Sequence, residues 1–248
     1  MTDQQNWYKT FFNGIAIDFW QKAITPEFTK QEIEFFKSII TFKKGCCIID
    51  VPSGFGRHTL ALAKEGHHVS AIDISEDYIN SLLQQKEKWH LPIIAVKADI
   101  LKYKLQGNFD IAMCLGNSFS YFSFDKMRRF VKKISNCLNP GGCFIINTAM
   151  LAESILPNFK QRNWMKVDDI LYMNDMRYNT NESIAQVDYT FIREGITEKK
   201  SAYNFVFTLA EIKRMLHNCG FTKTEVYGDF KRSAYSMGDR QAYIFSFK

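Results

Sequence analysis

The chain has 248 residues, of which 46% are hydrophobic and 22 are Phe, so it can build one large α/β core and is not a disordered chain. The formal net charge is +6, but Lys and Arg are dispersed among Glu and Asp, and no sharp basic patch indicates nucleic acid. The start, MTDQQNWYKTFF, lacks the basic residues and apolar run of a secretory signal. No uncharged apolar stretch approaches the roughly 20 residues that span a bilayer. We therefore expect a cytoplasmic protein without membrane contact.

The cysteine pattern does not indicate a metal site. No two cysteines form a C-x-x-C pair, and none combines with His at zinc-binding spacing. Four of the six lie in apolar, strand-like runs, where free Cys behaves as a small hydrophobe. We expect reduced, buried thiols and no metal.

Residues 1–40 are predicted to be helical and are unusually aromatic. Two interpretations stay open for this segment. It could close over a ligand as a lid, with Tyr8 and Trp20 as the contacts, or it could pack permanently on the domain with those rings in the core.

Between residues 46 and 150, short apolar runs alternate with amphipathic segments. The predicted strands are CCIIDV (46–51), HVSAID (68–73), IIAVKAD (93–99), FDIAMCL (109–115) and CFIINTA (143–149). Helices are predicted after the first strand, from Glu76 to about Trp89, and over 125–138. This alternation predicts βαβ units and a parallel sheet covered on both faces.

The segment 164–208 contains strand-like pieces separated by polar turns, which predicts an antiparallel meander. Thr208 and Glu211 then form a capping box for a helix that ends at Gly220. Two final strands, near 222–228 and 241–247, complete the predicted sheet. We expect a single domain over 1–248, with a lid (1–40), a core (46–150), an insertion (164–208) and a closing region (209–248).

A glycine-bearing loop follows the first strand, in the run Asp50-Val-Pro-Ser-Gly54-Phe-Gly56. Gly54 and Gly56 permit positive φ and close approach of a ligand to the backbone. The helix that follows offers unpaired N–H groups, which suit a carboxylate or phosphate. Such a loop alone also occurs as a plain tight turn.

Acidic residues end the next two strands. Asp73 lies 17 residues beyond Gly56, where doubly wound folds hold ribose hydroxyls, although it can also cap the next helix together with Ser75. Asp99 can accept a hydrogen bond from an adenine amino group while Ile100 packs on the ring, or it can be an ordinary strand-end residue. Because open α/β sheets bind ligands at the carboxyl ends of their strands, these positions together indicate an adenosine with a charged tail.

The segments that carry these residues, with FDIAMCLGNSFSYF and LNPGGCFIIN, resemble in order and spacing the motifs of class I S-adenosylmethionine-dependent methyltransferases, over roughly residues 46–150. The resemblance implies a doubly wound, seven-stranded, mostly parallel sheet of the Rossmann-like methyltransferase fold, with an N-terminal helical lid and an antiparallel β insertion. It also implies the cofactor S-adenosyl-L-methionine, with S-adenosyl-L-homocysteine as the product. The cofactor contacts that it implies are Asp50, Gly54 and Gly56 around the methionine part, Asp73 on the ribose, Ile74, Asp99 and Ile100 at the adenine, and the carbonyl of Leu115 near the methionine amino group.

Pro52 departs from this pattern, because the family often has Gly there and proline removes an N–H donor. A dinucleotide-binding fingerprint would need Gly or Ala where Thr59 stands, which disfavours hydride transfer. Three hypotheses remain: a small-molecule methyltransferase, which leads; an RNA or protein methyltransferase; and a catalytically silent cofactor-binding protein.

No general base is identified, and His58 is expected to have a structural or carboxylate-orienting role. We expect the acceptor to contact residues that flank the core, namely Asn117, Tyr121, Tyr203 and Arg240. The acceptor itself, and the choice between monomer and homodimer, stay open.

Overall fold

The computed structural model describes residues 6–248 as two β-sheets and eight α-helices within that range. The strands are β1 (Cys47–Asp50), β2 (His68–Asp73), β3 (Ile93–Lys97), β4 (Phe109–Cys114), β5 (Leu138–Thr148), β6 (Arg162–Val167), β7 (Ile170–Asn179), β8 (Ile184–Arg193), β9 (Ile196–Phe205), β10 (Lys223–Tyr227) and β11 (Ala242–Phe247). The helices are α1 (Tyr8–Phe11), α2 (Ile15–Ala23), α3 (Pro26–Ile39), α4 (Arg57–Lys64), α5 (Glu76–Trp89), α6 (Phe124–Cys137), α7 (Ala152–Ile155) and α8 (Leu209–Asn218).

The larger sheet has seven strands in the order β10-β11-β5-β4-β1-β2-β3. Strands β1 to β5 are parallel, and β11 runs antiparallel between β5 and β10. The order reverses beside β1, and at such a switch point a crevice opens at the carboxyl ends of the strands. The predicted doubly wound, mostly parallel sheet is confirmed.

Local sequence signals explain where several helices begin. Thr208 and Glu211 form the predicted capping box, since the Thr208 side chain accepts from the Glu211 N–H at 3.2 Å and Glu211 accepts from the Thr208 N–H at 2.8 Å. Ser75 caps α5 by accepting from the N–H of Tyr78. Gly220 has φ +103°, a left-handed conformation that ends the α8 region at low steric cost.

The smaller sheet is the predicted antiparallel meander and has the order β6-β7-β8-β9. Its first strand, β6, begins at Arg162, ahead of the predicted insertion. Helix α2 packs on this sheet, and Phe19 stacks on Tyr172 with ring centroids 4.7 Å apart. Helix α3 packs instead on the larger sheet, where Phe35 contacts Phe245.

All six cysteines are free thiols; five are buried and Cys47 is half-buried. None of the helices that the structure describes has the length and apolar character needed to cross a membrane.

Candidate active site

A cavity of about 220 Å³ lies at the carboxyl ends of the central parallel strands. Its floor is formed by residues that end or follow β1, β2, β3 and β4. Helices α1 and α2 cover it on one side, and β8 and β9 of the smaller sheet cover it on another. Most of the positions predicted from the sequence line this cavity. They are Asp50, Gly54, Asp73, Ile74, Asp99, Ile100, Leu115, Tyr8, Trp20, Asn117 and Tyr121.

The loop after β1 is held by backbone hydrogen bonds to both neighbouring strands. The Val51 N–H donates to Met113 at 3.0 Å, and the Ser53 N–H donates to Ile72 at 3.0 Å. Gly54 has φ +54°, and a Cβ at this position would meet no atom within 4 Å, so its backbone faces open space. Gly56 does not line the cavity; a Cβ there would lie 2.8 Å from Leu82 Cδ1, so this glycine permits α5 to pack closely.

Asp50 is buried at the end of β1, and its Oδ2 accepts a hydrogen bond from Thr59 Oγ1 at 2.7 Å. Burial raises the pKa of Asp50 to about 7. Near neutral pH this carboxyl therefore lies close to the midpoint of its titration. A cationic group brought into the cavity would favour the ionised form.

Asp73 is buried at the end of β2 and accepts two backbone hydrogen bonds. The Gly54 N–H donates to Oδ2 at 2.7 Å, and the Ser75 N–H donates to Oδ1 at 2.9 Å. Burial raises the pKa of Asp73 despite these donors. The same carboxylate thus lines the cavity and fixes the turn into α5. The two roles considered from the sequence, holding a ribose and capping the next helix, are therefore compatible.

Asp99 and Ile100 follow β3 at the edge of the cavity. Asp99 Oδ1 accepts from the Leu101 N–H at 3.0 Å, and Oδ2 lies 3.6 Å from Lys9 Nζ of α1. Helix α1 is therefore held beside the strand end where an adenine was expected.

The two predicted lid residues contact the cavity in different ways. Tyr8 stacks parallel to Tyr121 with ring centroids 6.3 Å apart, and burial raises the pKa of Tyr8 to about 12. The Trp20 ring is partly exposed, but its Nε1 is buried with no hydrogen-bond partner in the described structure. Ser53 Oγ, in the loop after β1, is likewise buried with no hydrogen-bond partner in the described structure. Buried polar atoms are normally paired, so both are candidate ligand contacts.

A buried ionic cluster beside the loop was not predicted from the sequence. Arg57, which lines the cavity, donates to Glu32 Oε2 and, at 3.1 Å, to Thr29 Oγ1 of α3. His58 Nε2 lies 3.2 Å from the same Glu32 oxygen. Burial lowers the pKa of His58, whereas His58 and Arg57 outweigh burial and hold the pKa of Glu32 below its usual value. Glu32 is therefore ionised beside the Arg57 guanidinium, while His58 is neutral.

The predicted acceptor residues divide into two groups. Asn117 and Tyr121 line the cavity, and Asn117 Oδ1 accepts from the Ala149 N–H at 2.5 Å. Tyr203 and Arg240 do not line it: the Tyr203 carbonyl accepts from Trp7 Nε1 at 2.8 Å, and Arg240 is exposed in the loop before β11.

Two residues of β9, Ala202 and Asn204, line the cavity although no local sequence signal selected them. Tyr189 of β8, also in the insertion, lines it too. Strand alternation predicts that 202 and 204 share a face, but not which face meets the cavity.

Comparison with known proteins agrees with this architecture. A family model described as a methyltransferase domain matches residues 48–142. Glycine/sarcosine N-methyltransferase of Halorhodospira halochloris is 25% identical over 98% of this chain and 90% of that protein. The enzyme of the same name from Aphanothece halophytica is 22% identical over 98% of this chain and 91% of its own length. An S-adenosylmethionine-dependent methyltransferase structure from Clostridium acetobutylicum superposes with a TM-score of 0.75 at 16% identity, covering 88% of this chain and 89% of that one.

Residues 48–142 therefore carry a methyltransferase domain, set in the fold of S-adenosylmethionine-dependent methyltransferases. The chain is an enzyme that uses S-adenosylmethionine as the methyl donor. The cavity fits this donor, since it offers an open backbone at Gly54, unpaired donors at Ser53 and Trp20, and three carboxyl groups for a ligand of net positive charge.

Proposed function

We propose that the enzyme methylates an amine nitrogen of a small molecule. The observation that carries this proposal is the match, over almost the whole chain, to two enzymes named glycine/sarcosine N-methyltransferase. The covered cavity supports it, because a reaction site beneath α1, α2 and the smaller sheet suits a compact acceptor. For the same reason we infer that the acceptor is neither RNA nor a folded protein. A cytoplasmic location and a monomeric or homodimeric state remain predictions.

We assign the cofactor contacts as the sequence suggested, with Arg57 as the one addition. Asp73 would hold the ribose, Asp99, Ile74 and Ile100 the adenine, and Asp50 and the Leu115 carbonyl the methionine amino group. Arg57 and Trp20 Nε1 would donate to the methionine carboxylate, since both line the cavity and Arg57 directly follows the glycine loop. Gly56 would act indirectly, by keeping α5 against that loop.

The sulfonium of the bound donor supplies an electrophilic methyl group. A neutral amine forms the N–C bond as the C–S bond breaks, the electron pair stays on sulfur, and the methylated ammonium later releases a proton to water. The protein's part is to align the amine with the methyl carbon, which supplies about 7–11 kcal/mol in well-oriented reactions. Aromatic rings of the lid exclude water from this path.

Calorimetry with S-adenosylhomocysteine, followed by transfer of a labelled methyl group to a panel of amines and matched alcohols, tests the proposal. We expect binding of the nucleoside and label on nitrogen, located by NMR of the product. Binding without transfer to any amine would refute N-methylation and favour either another acceptor atom or a silent protein.

We also propose that the chain forms one domain. A single buried cluster joins Trp7 and Phe11 of the lid region, Ile49 and Ile146 of the larger sheet, and Ala202 of the smaller sheet. A core shared by all three regions is what one folding unit requires.

A further inference from the structure

The turn after β3 carries the two residues assigned to the end of the adenine, Asp99 and Ile100, and its own hydrogen bonds fix its shape. The N–H groups of Lys102 and Tyr103 donate to the Asp99 carbonyl at 2.9 Å and 2.8 Å. The Leu101 N–H donates to Asp99 Oδ1 at 3.0 Å. Asp99 therefore accepts hydrogen bonds from three N–H groups of the turn that it begins.

The carbonyl groups of the same turn are held by one lysine of α6. Lys133 Nζ donates to the carbonyls of Ile100 at 2.9 Å, Leu101 at 2.8 Å and Tyr103 at 2.9 Å. An ammonium group has three N–H donors, so these bonds use its full capacity. Burial lowers the pKa of Lys133, and the charge of Asp99 opposes this shift. One cation thus holds the turn at three points.

Both the turn and the helix that holds it are fixed to the larger sheet. The Ala98 N–H, just before the turn, donates to the Asp73 carbonyl of β2 at 2.8 Å. Phe130, one helical turn before Lys133, is buried, lines the cavity and meets Phe144 of β5 edge-on, with ring centroids 6.1 Å apart. Lys133 therefore joins two elements that the sheet already holds in place.

One carboxylate oxygen of Asp99 remains for a ligand. Oδ1 is bonded to the Leu101 N–H, whereas Lys9 Nζ, at 3.6 Å from Oδ2, is beyond hydrogen-bond distance. Asp99 lines the cavity, so Oδ2 is suited to accept from the amino group of an adenine. Because the side chain is bonded to the backbone of its own turn, a shift of the turn would move the carboxylate with it.

We propose that Lys133 is a positioning residue for the cofactor, because its bonds to three carbonyls hold the turn and thereby keep Asp99 Oδ2 where it accepts from the adenine amino group. Lys133 does not line the cavity, so it acts through Asp99 and not by contact with the cofactor. The inference rests on the assignment of Asp99 to the adenine in the proposed function and adds the residue that sets its geometry.

A change at the adenine amino group tests this role. S-inosylhomocysteine differs from S-adenosylhomocysteine in having a ring carbonyl where adenine has the amino group. The wild-type enzyme would lose a hydrogen bond to the charged Asp99 and bring two acceptor oxygens together. In isothermal titration calorimetry, it should bind S-adenosylhomocysteine at least about thirtyfold more tightly than S-inosylhomocysteine.

Variants at Lys133 should weaken this preference. Lys133→Met keeps the apolar stem but removes the three donors, and it should reduce the preference about tenfold, with little change in the Kd for S-inosylhomocysteine. Lys133→Arg keeps a cation with several N–H donors and should retain more of the preference. Lys132→Met is the matched control, because Lys132 is exposed on the same helix with its Nζ 3.5 Å from the Cys219 carbonyl, and it should bind as wild type.

A double-mutant cycle separates positioning from stability. In the Asp99→Ala background the amino group has lost its acceptor, so adding Lys133→Met should leave the ratio of the two Kd values unchanged. Circular dichroism establishes that each variant is folded. If Lys133→Met does not fold, Lys133→Gln, which keeps a single N–H₂ group, takes its place with the same expected loss of preference.

Several outcomes would overturn the inference. Equal weakening of both nucleosides by Lys133→Met would show that Lys133 only stabilises the fold, and an unchanged preference, or equal effects of the Met and Arg variants, would show that its donors do not position Asp99. A wild-type enzyme that binds both nucleosides equally, or binds neither, would also overturn it. An enzyme that shows the expected preferences but methylates no amine would contradict N-methylation alone and support the role of Lys133.

Discussion

At the scale of single residues, the strand-end carboxyls Asp50 and Asp73 differ in which groups donate hydrogen bonds to them. Asp73 accepts from two backbone N–H groups, whereas Asp50 accepts from the hydroxyl and the backbone of one residue, Thr59. Both are buried, which favours the protonated form, and the pKa of Asp50 is raised to about 7. Asp50 is therefore the group whose charge a bound cation can change near neutral pH.

We expect S-adenosylmethionine to bind more tightly as the pH rises from 6 to 8, because the carboxylate form of Asp50 attracts the cationic cofactor and is the minor form below its pKa. The ionised fraction changes about tenfold across a range of one pH unit on either side of the pKa, so the Kd should fall by up to about tenfold. Asp50→Asn should bind more weakly at pH 8 and lose most of this dependence. Isothermal titration calorimetry at three pH values measures both effects.

Asp125→Asn, which changes an exposed acid of α6, is the control and should retain the wild-type pH profile. The cofactor's own titration is common to all three proteins and cancels in the comparison. A pH profile of Asp50→Asn that parallels wild type would show that another group is responsible.

We expect Glu32 to stabilise the fold through its buried pair with Arg57, which the sequence did not reveal. Its side chain is 1% exposed and pairs with Arg57, which is 13% exposed. Glu32→Gln leaves a buried guanidinium without its carboxylate, and breaking a buried pair in this way costs about 3–5 kcal/mol. We expect a clear loss of unfolding free energy in urea titrations, together with weaker binding of S-adenosylhomocysteine.

Glu34→Gln on the same helix provides the comparison. Glu34 is 63% exposed and lies 3.9 Å from Lys30, so its loss should cost less than about 1 kcal/mol. Similar effects of the two substitutions would contradict a structural role for the Glu32–Arg57 pair. The pair was not predictable because 25 residues separate its members, and nothing in the local pattern indicates that α3 lies against the start of α4.

At the scale of elements, local sequence patterns predicted the strands and helices whose formation depends on neighbouring residues. The apolar runs at 46–51, 68–73 and 109–115 became β1, β2 and β4, and the segment from Glu76 to Trp89 became α5 without a shift. Strand β6 was missed because Arg162 to Val167 is largely exposed and lacks the alternation of a half-buried strand. Contacts between distant segments, such as α1 with β9, carry no local signal.

The connection between the lid region and the smaller sheet is one such contact. Lys200 of β9 donates to the carbonyls of Phe11 and Asn13, and Glu198 accepts from the Ile15 N–H at 2.9 Å. These bonds satisfy backbone groups at the end of α1 and the start of α2. Opening of α1 and α2 would break them, so they should slow release of a bound nucleoside.

Lys200→Met should therefore increase the dissociation rate of S-adenosylhomocysteine, by about tenfold if about 1.4 kcal/mol of these hydrogen bonds is lost. It should also speed amide hydrogen exchange over residues 8–23. Lys199→Met, at the exposed neighbouring position of β9, is the control and should leave both rates unchanged. Faster release without faster exchange in α1 and α2 would show that Lys200 acts on the cavity directly and not by holding these helices in place.

At the scale of the whole molecule, the cavity lies where the larger sheet, α1, α2 and the smaller sheet meet. The sequence predicted the sheet and its ligand edge from strand and loop order, because topology rules leave few arrangements for alternating strands and helices. It did not predict how the lid and insertion meet above that edge. The lining that the smaller sheet contributes to the cavity depends on that meeting, and it was therefore the part least accessible from sequence.

Because all three regions contact the cavity, a bound nucleoside should stabilise the molecule as one unit. S-adenosylhomocysteine at about 100 times its Kd should add about 2.7 kcal/mol to the free energy of unfolding. For a chain of this size that corresponds to a rise in Tm of about 5–10 °C in a single calorimetric transition. Adenosine, which lacks the charged tail that Asp50 and Arg57 would bind, should give a smaller shift at the same concentration. Two transitions of which only one responds to S-adenosylhomocysteine would show that the insertion or the lid folds independently, and would contradict the proposed single domain.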